Sequence, residues 1–200
     1  MKKMLFMLFL VATVAFAQRE LAFGAGENVF NAGITLNFGE NDTRPGVTFV
    51  YDYMIMEAMF SVGAELSTYS HNYTENALSA NRKEWENRYI TPLFRFAVHP
   101  FGITGVAGNV ATATVVDPYL ALGLGMRVHS WRYESWDEGS NEGADVDPMA
   151  SIKPGVRFFI NPRVNFWAEG DFGVRLVKEE DETKIRRNPY SLAIGAGIRF

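Results

Sequence analysis

The sequence lacks cysteine, and it lacks a long hydrophobic run beyond its first residues. Without cysteine there are no disulfides, no thiolate metal ligands and no cysteine for lipoprotein acylation. No segment after residue 17 approaches the ~18 consecutive apolar residues of a membrane-spanning helix. Basic residues are also few: 19 stand against 23 acidic ones, and two of them are Lys2 and Lys3. That balance argues against nucleic-acid binding.

Residues 1–17 have the composition of a secretory signal peptide. The positive start is followed by an apolar run, Met4–Val14, and by the small-x-small box Ala15–Ala17. The run is too short for a spanning helix, although an N-terminal membrane anchor is the alternative. We therefore expect cleavage after Ala17 and a single domain over residues 18–200.

The rest of the chain reads as eight strands of alternating apolar and polar residues. Most of them exceed the ~5–6 residues of soluble strands and suit the ~9–11 residues of a tilted membrane-spanning strand. The predicted strands are Asn28–Phe38, Pro45–Ile55, Ala58–Ser70, Arg88–His99, Val116–His129, Met149–Ile160, Arg163–Val177 and Ser191–Phe200.

One parity of these strands is apolar, whereas the other carries the charges. Strand side chains alternate between two faces, so each parity forms one face of the sheet. Arg or Lys at the bilayer midplane costs about 2–4 kcal/mol on the lipid face of a barrel. In a membrane the charged parity must point inward. Its charged members are Asp52, Glu65, Arg95, Arg127, Lys153, Arg157, Glu169, Asp171, Arg175 and Arg199.

The last strand decides between two kinds of barrel, since a soluble lipocalin-like barrel would invert these faces. Ile194, Ile198 and the final residue Phe200 share the apolar parity. An apolar strand that ends on Phe resembles the small bacterial outer-membrane β-barrel family, of OmpX, OmpW and OmpA type. The resemblance implies an all-β, eight-stranded, antiparallel up-and-down transmembrane barrel in the bacterial outer membrane. It also implies that these three residues form the signal read by the barrel-assembly machinery.

The connections support that assignment. Short turns at 56–57 and 161–162 alternate with longer polar segments, which is the asymmetry of periplasmic turns and extracellular loops. The uncharged segment Pro100–Val115 departs from it; the segment either extends the hairpin or folds against the barrel mouth. The predicted extracellular loops are Gly39–Arg44, His71–Asn87, Ser130–Asp147 and Lys178–Asn188.

The inward charges have two interpretations, a polar path for solutes or a set of ion pairs that fills the barrel. The interior of an eight-stranded barrel is just wide enough for its own side chains. Buried charges persist only when they are paired and hydrogen-bonded. We therefore predict a lumen filled by ion pairs, with loop carboxylates or waters serving the surplus bases.

Candidate catalytic and metal sites are weak in this sequence. His129 has the inward parity near the outer rim, but no nucleophile and orienting acid lie at a suitable spacing. The acidic segment Glu134–Asp147 lacks the order of a calcium loop. We expect no enzyme activity, no metal and no cofactor.

Aromatic residues accompany that acidic segment: Trp131, Tyr133 and Trp136 beside it, with Trp85 and Tyr89 at the matching end of the fourth strand. Rings at this level are typical of the girdle at the membrane–water interface. We predict that role for Tyr89 at least, and an adhesive surface is the alternative.

Pro92 and Pro154 lie inside predicted strands on the lipid-facing parity. Proline cannot donate to the ladder, so each should break a bond or mark a bulge. They flank the fifth strand, and we predict a local weak point there, as in relatives that release ligands sideways.

The sequence thus leaves three functions in order. The first is a structural or surface-interaction protein, monomeric, in contact with outer-membrane lipid and lipopolysaccharide. The second is a narrow channel with lateral exit, and the third is a lipid-modifying enzyme.

Overall fold

The computed structural model describes nine stretches of the chain and carries nine antiparallel strands within them. The described stretches are 26–38, 43–55, 59–75, 83–100, 116–135, 139–161, 163–179, 182–187 and 190–200. The strands are β1 Asn28–Phe38, β2 Thr43–Ile55, β3 Phe60–Glu75, β4 Lys83–Val98, β5 Val116–Ser135, β6 Gly139–Phe159, β7 Val164–Glu179, β8 Glu182–Arg187 and β9 Tyr190–Arg199. The predicted signal peptide and the segment 101–115 lie outside the described residues. Nowhere in those stretches is there a helix long and apolar enough to cross a membrane.

Eight of the strands form a closed ring, which confirms the predicted barrel. Each pairs with its neighbours in chain order from β1 to β7; β7 then pairs with β9, and β9 pairs with β1. β8 is an additional short strand that pairs only with the outer end of β7. The β7–β9 register matches Asp171 with Ser191, whereas the β7–β8 register matches Val174 with Arg187. The two registers differ by one residue, which is the offset of a β-bulge.

Burial in this barrel is the reverse of that in a soluble protein. The Phe94 side chain is 60% exposed on the outside, whereas Arg95, the next residue, is 0% exposed in the lumen. Ile34 and Ile194, which face each other across the β1–β9 pairing, are likewise exposed. An apolar outer band around a polar interior suits hydrocarbon as the surrounding solvent.

The chain closes the ring with hydrogen bonds between its two ends. The backbone N–H of Asn28 donates to the carbonyl of Phe200 at 2.9 Å, and the N–H of Phe200 donates back at 3.0 Å. At the same end, the Asn161 side-chain oxygen accepts the N–H groups of Arg163 at 2.8 Å and Val164 at 2.9 Å. This side-chain cap explains the short turn between β6 and β7.

Two predicted loops are largely strands. His71–Asn87 and Ser130–Asp147 were expected to be extended polar connections, but β3 to β6 continue through most of both segments. The β5–β6 ladder runs on to the pairs Glu134–Ser140 and Ser135–Gly139. Period-two alternation persists there among polar and aromatic residues, and the ladders satisfy the backbone groups. Strands β3 to β6 therefore extend as a sheet beyond the outer end of the other strands.

Candidate functional site: the barrel lumen and the extracellular aromatic face

Arg95 on β4 is the centre of a buried ion-pair cluster in the lumen. Its two terminal nitrogens meet both carboxylate oxygens of Glu169, on β7, at 3.0 and 2.8 Å. Glu65 on β3 accepts from the guanidinium at 2.8 Å, and Asp52 on β2 lies 3.4 Å from its Nε. Three strands thus supply carboxylates to one cation, and the Glu169 pair has the fork geometry of strong Arg–carboxylate contacts.

Lys153 extends the cluster toward the outer end of the barrel. Its Nζ donates to Glu65 at 2.9 Å and to Asp171 at 2.6 Å, with Glu169 at 3.9 Å. The hydroxyl of Tyr119 donates to Glu169 at 2.8 Å. Lys153 on β6 therefore bridges the lumen to β3.

Arg157 extends the cluster toward the periplasmic end. It pairs with Asp52, and it meets Asp117 at 3.2 Å. Its guanidinium also lies 4.7 Å from the ring centre of Tyr119. Asp117 was not among the predicted lumen residues, although its parity, which it shares with Arg127, could have identified it.

Asp117 also begins a hydrogen-bonded chain of three side chains. Its Oδ1 lies 2.9 Å from His99 Nδ1, and His99 Nε2 lies 3.0 Å from the Ser61 hydroxyl. This is the order of acid, base and nucleophile in a hydrolytic triad, so the expectation that no such spacing exists was wrong. Ser61 is 0% exposed, however, and Asp117 is shared with Arg157. The geometry is that of a structural chain that continues the ion-pair cluster.

The central cluster contains more carboxylates than cations. Arg95, Lys153 and Arg157 are surrounded by five carboxylates, and all eight side chains are largely buried. Since buried charges are costly without a partner, loss of any one of the three cations leaves several carboxylates poorly compensated. The five acids are Asp52, Glu65, Asp117, Glu169 and Asp171.

The remaining predicted lumen bases lie outside this cluster. Arg175 pairs with Asp147 at 2.8 Å, and Arg199 pairs with Glu27 at 2.6 Å. Arg127 stacks over the Tyr69 and Tyr89 rings, with its guanidinium carbon 5.7 and 5.5 Å from their centres. Asp147 was assigned to the acidic loop, but it lies on β6 and faces the barrel mouth.

Both prolines interrupt a ladder, on different sides of the expected position. The pairs that would join Thr91 and Pro92 to β5 are missing from the β4–β5 ladder. The pairs that would join Lys153 and Pro154 to β7 are missing from the β6–β7 ladder. Neither interruption shifts the register. The gap beside Pro92 borders β5, whereas the gap beside Pro154 faces away from it.

The predicted aromatic girdle is corrected, because the rings lie on the inward parity. On the extended parts of β3 to β5 they form what we name the aromatic face. Tyr89 stacks on Tyr69 with ring centres 4.5 Å apart, and on His129 at 4.4 Å. These rings continue the charged side of the sheet and cannot meet lipid. Trp136 lies outside the described residues. The aromatic face comprises Tyr69, Tyr73, Trp85, Tyr89, Trp131 and Tyr133.

A closed ring of eight antiparallel strands, apolar outside and charged within, defines a bacterial outer-membrane β-barrel. The chain belongs to the family described as outer membrane protein beta-barrel domain, whose model matches residues 4–200. The protein is therefore located in the bacterial outer membrane. No curated protein matches the chain in sequence.

Solved structures share this fold at low sequence identity. Ail, the attachment invasion locus protein of Yersinia pestis, has a TM-score of 0.55 at 15% identity, over 88% of this chain and 99% of its own. The Pseudomonas aeruginosa outer membrane protein OprG has a TM-score of 0.57 at 12% identity, over 91% and 99%. A major outer membrane protein of Thermus thermophilus has a TM-score of 0.57 at 9% identity, over 86% and 99%.

Proposed function

We propose that this protein is a non-enzymatic outer-membrane barrel, closed by its ion pairs, that acts as a structural and surface-interaction protein. The observation that supports this most strongly is the contact of Arg95 with Glu169, which joins β4 to β7 through the lumen. Arg157 and Asp52 join β6 to β2, which lie opposite each other in the ring. Links that cross the interior in several directions leave little room for a solute path.

The Glu169→Gln variant tests whether the lumen is a plug or a path. We expect the free energy of unfolding to fall by about 2 kcal/mol, because charge-assisted hydrogen bonds are lost, with no appreciable ion conductance before or after the change. Unfolding in detergent and conductance in planar bilayers are the two measurements. Glu86→Gln is the matched control, since Glu86 pairs with Arg88 on the exposed side of β4. A large conductance change with intact stability would contradict the plug.

The surface-interaction part of the proposal depends on the sheet that β3 to β6 form beyond the barrel. The solved structure of Ail contains the heparin analogue sucrose octasulfate, so a barrel of this fold can hold a ligand. We propose that this chain is a monomer, inserted by the barrel-assembly machinery through its terminal strand, including Ile194, Ile198 and Phe200. Its extended sheet then stands among lipopolysaccharide and reaches outside partners.

A narrow channel with lateral exit is the second candidate, favoured by the ladder gap beside Pro92. A groove of about 440 Å³ opens on the lipid side next to this gap, lined by Ala64, Leu66, Pro92, Phe94 and Met126 among others. An apolar solute that left the lumen sideways would enter such a groove. The β4–β5 contact is thus where the barrel wall has fewest backbone bonds to break.

Hydrogen exchange of the folded protein tests this exit. A lateral path predicts rapid exchange at the Met126 and Arg127 amides and strong protection at Leu120 and Leu122, whose ladder is intact. In Pro92→Ala, which restores an N–H, exchange at the first two should slow. Full protection of β5 on both sides in the unmodified protein would eliminate this candidate.

A further inference from the structure

We propose that the aromatic face binds a cationic polypeptide segment, one rich in lysine and arginine, at the cell surface. This inference rests on the proposed surface-interaction function and specifies the partner class. Three observations carry it: the arrangement of the rings, the cations that already lie on them, and the charge of the surrounding sheet.

The rings form rows across neighbouring strands. In the outer row Tyr73, Trp85 and Tyr133 follow one another on β3, β4 and β5, with ring centres 6.0 and 5.0 Å apart. Between this row and the inner Tyr69–Tyr89 row, Trp131 lies over Gly143 of β6; a Cβ there would come within 2.7 Å of the indole. Gly143 thus lets the indole lie against the sheet. Tyr73 is 43% exposed, so the platform is open to solvent at that end.

Cations of the chain itself already occupy both rows. Arg127 lies over Tyr69 and Tyr89, and the Lys83 ammonium lies 5.5 Å from the ring centre of Tyr133. Guanidinium and ammonium groups within ~6 Å of a ring centre are attracted by the negative π face. Both basic side-chain types therefore fit this surface in the geometry that a bound segment would use.

The charge of the extended sheet favours the same partner. The stretches 70–75, 83–89, 129–135 and 139–147 contain only three basic residues, Lys83, Arg88 and Arg132, against seven acidic ones. Such a field attracts a cationic segment and repels a polyanion. A sulfated ligand of the kind bound to Ail would meet the wrong sign of charge here.

The test uses the mature full-length protein in detergent, with a fluorescent oligoarginine peptide as the probe. An oligoglutamate peptide, a heparin fragment and a neutral oligosaccharide serve as comparisons. The Trp131→Leu and Tyr133→Leu double variant keeps apolar side chains but removes two π faces, and we expect its affinity for oligoarginine to fall about tenfold. Tyr190→Leu is the matched control, since Tyr190 lies near the same rim on the lipid-facing parity; its affinity should not change.

The outcomes separate this inference from the proposed function. Oligoarginine binding that weakens with added salt and in the double variant supports the inference. Preference for the heparin fragment or the oligosaccharide, or equal affinity in the double variant, overturns it and leaves the closed, surface-exposed barrel intact. Conductance measured on the same samples tests the barrel: a conducting lumen contradicts the proposed function whichever probe binds. The heat-dependent gel shift of folded barrels checks that each variant is folded.

Discussion

Arg95→Gln is expected to lower the free energy of unfolding by about 3–5 kcal/mol, the usual cost of removing one partner from a buried ion pair. The guanidinium holds Glu65, Glu169 and Asp52 together, and its loss leaves three carboxylates close to one another in the lumen. Glutamine keeps part of the volume but supplies no charge. Urea unfolding of the purified barrel in detergent, followed by tryptophan fluorescence, measures the effect.

Arg88→Gln provides the control for this experiment, because Arg88 lies on the same strand with the opposite parity. Its side chain is 67% exposed and pairs only with Glu86 among the described contacts. Exposed pairs contribute less than about 1 kcal/mol, so stability should barely change. Adding Glu169→Gln to Arg95→Gln should recover part of the loss, since it removes one uncompensated carboxylate. Equal effects of the two arginine substitutions would mean that the lumen cluster does not stabilise the barrel.

Gly195→Val should destabilise the barrel by about 3 kcal/mol, at the upper end of overpacking effects. Gly195 lies at the β1–β9 contact opposite Gly33, and a Cβ there would lie 2.5 Å from the Gly33 Cα and 2.8 Å from the Ala32 carbonyl carbon. These are backbone atoms, so the two strands would have to separate. The folded fraction after refolding into detergent, read from the gel shift, measures the effect.

Gly170→Val is the matched glycine control on β7. A Cβ at Gly170 meets only side-chain atoms, with the Phe172 ring nearest at 3.3 Å. That ring can turn aside, and valine favours strand conformation, so stability should be kept or improved. If both valine variants fold equally well, close approach of β1 and β9 is not required for closure.

The barrel itself could be predicted from the sequence because its signal is periodic. Alternation on the scale of a strand gave all eight ring strands, and β1 has the predicted bounds, Asn28–Phe38. The orientation of charges such as Arg95 followed from the cost of placing them in hydrocarbon. Each of these inferences needs only local spacing and a solvent.

What could not be predicted depends on pairing between distant strands. Ser61, His99 and Asp117 are far apart in the chain, and only the β3–β4–β5 registers bring them together. The aromatic rings were assigned to a lipid-facing girdle because their level was considered and their parity was not; Tyr89 shares the parity of Arg95. The outer ends of β3 to β6 were taken for loops because polarity was weighed above alternation.

The ring is sealed by the two strands that are farthest apart in the chain, β1 and β9. During synthesis the amino-terminal strand emerges long before its carboxy-terminal partner exists. Non-local pairing of this kind makes folding slow, and until it occurs both strands have unpaired edges that invite aggregation. The polypeptide must therefore complete its journey to the membrane before it can acquire its final shape, and the Asn28–Phe200 hydrogen bonds are the last step of the circle.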